Sequence, residues 1–254
     1  MRLLCAALAV TVASAVPAQA TDVHELLAAP QKRVKAADFR AIGHLVKVDA
    51  NGGRSSDAVT IEAHWFPGVL RVLVEIAAPA EARARILLEM RPDGQTTIRM
   101  AHPGDKTLTA VPFAKWGDGP QGSGFSYEDF LEPQYFWPGQ KALAPTRFGA
   151  RDCDVLKSTP GAEGRTHYAE IRSWLDHDIG FPVYVEKTLR DGIVKEFTYM
   201  GLRQNGGVWS ANQVEAKVRG QAGSTLLIVE RGSTKANLTA EDFSLAKITR
   251  FQDH

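Results

Sequence analysis

The side chains that could do chemistry in this sequence stand far apart. Seven histidines occupy positions 24, 44, 64, 102, 167, 177 and 254. None has a second His or Cys at the short intervals that hold zinc, so they read as surface residues and no metal site is expected. Ser123 sits in Gly122-Ser123-Gly124, which lacks the Gly-x-Ser-x-Gly spacing of a nucleophile elbow and the strand-to-helix turn that would expose its oxygen. Glu128 and Asp129 could be paired carboxylates for acid–base work, but adjacent helix residues point in different directions and a first-turn acid already interacts with the helix dipole. Cys153 lies between Asp152 and Asp154, and neighbouring acids raise a thiol pKa and dull its reactivity, so it reads as a strand residue. The glycine-rich stretch from Gly117 to Gly124 lacks the Lys and Ser/Thr that complete a phosphate loop. No catalytic constellation remains; the expectation is a protein that is not an enzyme and needs no cofactor.

The first twenty residues carry a different signal. Met1-Arg2 is followed by an uncharged run from Leu3 to Val16 and by Ala18-Gln19-Ala20, the pattern of a secretory signal peptide with small residues at its cleavage site. The run is short of the roughly 20 residues needed to cross a bilayer. Cys5 precedes most of it, where lipoprotein processing would leave no working signal. Residues 1–20 are therefore expected to be removed, leaving 21–254 as a single soluble domain in the periplasm. With 30 basic against 29 acidic residues in the chain, there is no basic footprint of the kind that phosphate neutralisation requires, so nucleic acid is not an expected partner. Cys153 alone survives cleavage, and one thiol closes no internal disulfide.

The elements that must position everything else are strands. Val59, Ile61, Ala63 and Trp65 alternate with polar residues, as do Leu70, Val72, Val74 and Ile76, then Ile86, Leu88 and Met90, then Ile98 and Met100, so four successive strands share one apolar face. Phe66-Pro67-Gly68, Pro79-Ala80 and Asp93-Gly94 supply the turns. Later strands are predicted near 166–175, 182–190, 193–203, 208–219 and 223–231, again with glycine-bearing turns. Between the halves, residues 112–147 hold Pro112, Pro120, Pro133, Pro138 and Pro145 among many glycines, too many breakers for a ladder strand. This excursion also carries eight aromatic residues between 113 and 137. Leaving such rings in water forfeits roughly 1.5–3 kcal/mol apiece, so the segment must lie on an apolar surface as a lid. Within it, Ser126 and Asp129 have the spacing of a capped helix start.

The run Gly122-Ser123-Gly124-Phe125-Ser126-Tyr127-Glu128-Asp129-Phe130 resembles the LolA-like group of outer-membrane lipoprotein-sorting proteins. Ser173-Trp174-Leu175-Asp176 followed by Gly180-Phe181-Pro182-Val183, the turn Gly207-Val208-Trp209-Ser210, and Leu238-Thr239-Ala240-Glu241-Asp242-Phe243 extend the resemblance over most of residues 37–248. It implies a mainly β fold, a curved antiparallel sheet forming an open half-barrel, with a helical and loop lid over a hollow that holds acyl chains. The implied function is carriage of lipid or lipidated protein through the periplasm, beside an inner-membrane transporter. The alternative is an envelope sensor or accessory module that binds a protein partner. Lining of the hollow is expected from Trp65, Leu70, Val72, Val74, Ile86, Leu88, Met90, Met100, Phe125, Tyr127, Phe130, Phe136 and Trp174. In lipoprotein carriers of this group a positively charged residue helps latch the lid, and Arg147, Arg151 and Arg172 are the candidates by proximity.

Overall fold

Alternating apolar and polar residues commit most of this chain to strands with one buried face, and the computed structural model shows how thirteen of them are joined. It describes residues 22–251. The expected signal segment, with Cys5, and His254 lie outside the described residues. The strands form two meanders. The first comprises β1 (Asp38–Val48), β2 (Arg54–Phe66), β3 (Val69–Ala78), β4 (Ala84–Met90), β5 (Thr96–Ala101) and the short β6 (Thr109–Ala110). The second comprises β7 (Gly139–Phe148), β8 (Arg151–Thr159), β9 (Tyr168–Asp176), β10 (Pro182–Leu189), β11 (Val194–Asn205), β12 (Val208–Val218) and β13 (Ser224–Ser233).

All lie in one sheet, in the order β6-β5-β4-β3-β2-β1-β13-β12-β11-β10-β9-β8-β7. Every pairing is antiparallel, and the single joint between the meanders is β1 against β13, from Arg40 opposite Ser233 to Val48 opposite Ser224. The sheet is curved and open, because its edge strands β6 and β7 lie at opposite ends of the order. Turn chemistry agrees with the sequence: Gly94 adopts a φ of 81° in the β4–β5 connection, a region open to glycine at little cost.

The inner face is one continuous core. Residues of the first meander such as Val74, Ile86 and Leu88 share it with Leu156, Ile171 and Val185 of the second and with Trp116, Leu131 and Tyr135 of the segment between them. A smaller cluster on the opposite face packs Leu73 and Leu87 against Leu238, Phe243 and Ile248 from the chain's end. That end carries a turn capped by Thr239 and Asp242 and the short helix α2 (Leu245–Thr249); α2 follows α1 (Val23–Lys35) at the chain's beginning.

Two features depart from the sequence reading. The expected excursion 112–147 ends at residue 138, because Gly139–Phe148 is an edge strand paired with β8. Pro145 is tolerated there because it lies in a register break between Leu143 and Thr146 on a strand with one free edge. The second departure is α1, which sequence alternation did not suggest. Asp22 caps it by accepting from the His24 N–H at 3.0 Å, and Leu26, Leu27, Pro30 and Val34 are its buried residues.

Candidate functional site

The lid is pinned to the sheet by two adjacent carboxylates used in opposite directions. Ser126 and Asp129 form the expected capping box, with the Ser126 N–H donating to Asp129 Oδ2 at 2.7 Å. Asp129 also receives Lys187 Nζ at 2.8 Å, Lys195 Nζ at 2.6 Å and the Tyr168 hydroxyl at 2.6 Å. Lys187 and Lys195 stand directly opposite one another on β10 and β11, where like charges repel unless a counterion sits between them. Burial alone would raise the Asp129 pKa, but the two ammonium groups hold it well below the usual carboxylate range. Glu128 turns the other way, accepting from Thr166 Oγ1 at 2.8 Å and from the His167 N–H at 3.2 Å. Its pKa is raised, chiefly by burial, with the neighbouring Asp129 charge adding to it.

The amino-terminal helix holds the other end of the lid. Arg33 reaches Glu132 with both guanidinium nitrogens, at 2.7 and 2.8 Å, and lies 5.0 Å from the Phe181 ring. Gln31 donates to the Tyr135 carbonyl at 2.7 Å. Arg33, not one of the three expected arginines, thus bridges to the lid. Arg147 pairs with Asp152, Arg151 with Asp176 and Arg172 with Glu170; all three partners are on the sheet strands. Asp22 followed by Glu25 is the sequence signal that could have revealed α1, being an N-cap with an acid three residues on.

Between lid, α1 and sheet lies a hollow of about 280 Å³, near the lower end of the roughly 300–1,000 Å³ typical of small-molecule pockets. Its walls include Ile61 and Ala63 of β2, Phe125, Phe130 and Leu131 of the lid, and Phe197, Tyr199, Val214 and Leu227 of β11 to β13. It opens where the β12–β13 ladder gives out. That ladder spans only Gln213 to Ala216 against Ile228 to Thr225, while β12 keeps its pairing to β11 as far as Val208 and β13 its pairing to β1 as far as Ser233. Val208, Trp209, Ser210 and Ala211 on one side, and Val229 and Gly232 to Thr234 on the other, therefore frame a split in the sheet that borders the hollow.

Of the residues expected to line it, Leu70, Val72, Phe125 and Phe130 do so. Val74, Ile86, Leu88 and Met90 are packed solid in the adjoining core, none more than 1% exposed. Trp65, Met100, Tyr127 and Phe136 pack against that core, with Trp65 stacked on Phe136 at 5.7 Å. Trp174 is on the opposite face of the sheet, against Tyr184 at 5.0 Å. The reason is phase: Ile171, Ser173 and Leu175 are buried at alternate positions of β9, and alternation turns Trp174 outward.

The remaining candidates for chemistry are occupied structurally. Ser123 donates to the Phe125 carbonyl at 3.0 Å, and burial first, then Asp176 and Asp152, raise the Cys153 thiol pKa. His64 and His167, expected at the surface, are half-buried beside Asp38 and Glu128. Among the described residues no group of three or more His, Cys, Asp and Glu is placed to hold a metal ion, and no helix is long and apolar enough to cross a membrane.

Comparison with known proteins agrees with this architecture. A candidate outer membrane lipoprotein-sorting protein domain from Vibrio parahaemolyticus superposes with a TM-score of 0.79 at 20% identity, covering 90% of this chain and 100% of its own. A DUF1329 family protein from Desulfovibrio piger gives 0.78 at 12% identity, with 89% and 97% covered. A LolA superfamily protein from Nitrosomonas europaea gives 0.64 at 14%, with 87% and 97% covered. No curated protein sequence matches. A family model described as "Uncharacterized protein" matches residues 70–250. The chain belongs to that family, and its fold is LolA-like.

Proposed function

We propose that this protein is a periplasmic carrier of acyl lipid or lipidated protein, holding hydrocarbon in the lidded hollow without catalysis. The observation that carries the reading is the hollow itself: an apolar chamber beneath an aromatic lid, with a mouth formed by two strands that part company. Each methylene moved from water into such a chamber contributes about 0.8 kcal/mol, so chain burial gives affinity with little demand on headgroup shape. The fold shared with lipoprotein-sorting and LolA superfamily structures supports the same reading, as does the expected signal segment for the compartment. An inner-membrane transporter as the source of cargo belongs to this proposal.

The test is native mass spectrometry with lipid extraction on protein isolated from the periplasm without detergent. The expected result is acyl lipid bound at near-stoichiometric level, lost in a Ser210→Trp variant, which shares the inner phase of β12 with Val214 and fills the hollow beside its mouth while melting like the wild type. An empty protein that also ignores added lipids overturns the reading. A second reading has one observation in its favour. The facing edges of β12 and β13 lack each other's ladder beyond Gln213 and Ile228, and a partner protein's extended segment could add there as a strand. Capture of a peptide in place of lipid would favour that sensor role.

A further inference from the structure

We propose that the cargo is an anionic amphiphile whose phosphate or carboxylate headgroup is held by Arg203 at the mouth of the hollow. The proposal rests on the carrier reading and narrows it to a ligand class.

Its basis is the charge accounting of the cavity wall. Arg33 is paired with Glu132, Arg40 with Glu62, and Asp129 with Lys187 and Lys195. Asp38 accepts from the N–H groups of Asn237 and Leu238 and faces His64. Arg203 is the exception among the charged residues of the wall: it is exposed and has no acceptor or ion-pair partner among the described residues. A solvated arginine on an outer surface would carry no such meaning. This one is on the inner face, because β11 places Phe197, Tyr199 and Arg203 at alternate positions along one side, and all three border the hollow.

The strand therefore runs from an aromatic floor to a cationic rim. Arg203 stands directly opposite Ser210 in the β11–β12 ladder, and Ser210, Asn205 and Thr234 complete the polar border. The sheet splits beside this point, so a headgroup could stay in water while its chain enters between the strands. A guanidinium offers a planar fork of donors matched to the paired oxygens of phosphate or carboxylate. The donor left open at this cavity is thus the Arg203 guanidinium, and an anionic headgroup supplies its acceptor.

The experiment compares lysophosphatidic acid with the monoacylglycerol of the same chain length, both below their micelle concentrations, on the full-length mature protein. Isothermal titration should give wild-type protein about tenfold tighter binding of the anionic lipid, equivalent to about 1.4 kcal/mol. Arg203→Gln should bring the two lipids to the same affinity, and Arg203→Lys should restore part of the preference. The melting temperature of each variant checks that folding is intact. Wild type that binds both lipids equally overturns the headgroup assignment and leaves the carrier reading standing, whereas binding of neither removes both. A preference that survives in Arg203→Gln also overturns the assignment, because another group must then hold the anion. Inorganic phosphate is the third probe. It should compete only feebly; competition as strong as the lipid's would mark a free-phosphate site and overturn the amphiphile.

Discussion

Asp129 is the residue on which the lid and the second meander both depend. Removing its charge leaves Lys187 and Lys195 facing each other in the sheet without a counterion, and uncompensated buried charge of this kind costs about 3–5 kcal/mol. Asp129→Asn is accordingly expected to lower the unfolding free energy by that amount in urea titrations. The pH dependence follows from the depressed pKa. In the unfolded chain Asp129 titrates near 3.8, and in the fold it titrates lower. Its stabilisation is therefore complete above the unfolded value and is lost as pH falls from there towards the folded one. Melts between neutral pH and strong acid should show an acid limb that is shallower in Asp129→Asn. The cap at Ser126 was legible from spacing alone. The counterion role was not, because it depends on two lysines remote in sequence, although each occupies the apolar phase of its strand beside Val185 or Phe197.

At the scale of elements, α1 and the lid act as a clasp through Arg33 and Glu132, whose side chains are only 21% and 23% exposed. A double-mutant cycle with Arg33→Ala and Glu132→Ala should return a coupling of about 1–3 kcal/mol, and hydrogen exchange over residues 111–138 should quicken in either single variant. The joint between the meanders is equally specific. A methyl group at Gly43 would overlap the Ile228 carbonyl oxygen at the β1–β13 register break. Gly43→Ala should thus destabilise by about 1–3 kcal/mol, as overpacking does, measured by chemical denaturation. Local alternation revealed β2 to β5 and the later hairpins because each has one wet and one dry face. It hid α1, whose buried Pro30 looks like a helix breaker. It also hid β7, where Pro145 is admitted by a free edge and a register break that no local pattern encodes.

For the whole molecule, the curved sheet was legible because its meanders are built from neighbours in sequence. The boundary between cavity and solid core was not, since identical apolar alternation serves both. Leu70 and Val72 border the hollow, whereas Val74, two residues further along the same face of β3, is fully buried. Val74→Asp should therefore leave no folded protein by circular dichroism, because it places an unpaired charge in packed interior. The lid has one more property that comes from connectivity. It leaves the sheet at β6 and re-enters at β7, the two outermost strands. It is a string across a bow. A string fastened at both tips cannot swing aside like a hinged door, so any guest too large for the resting hollow must flex the bow itself. Spin labels on β6 and β7 would then report cargo as a change in the distance between the tips.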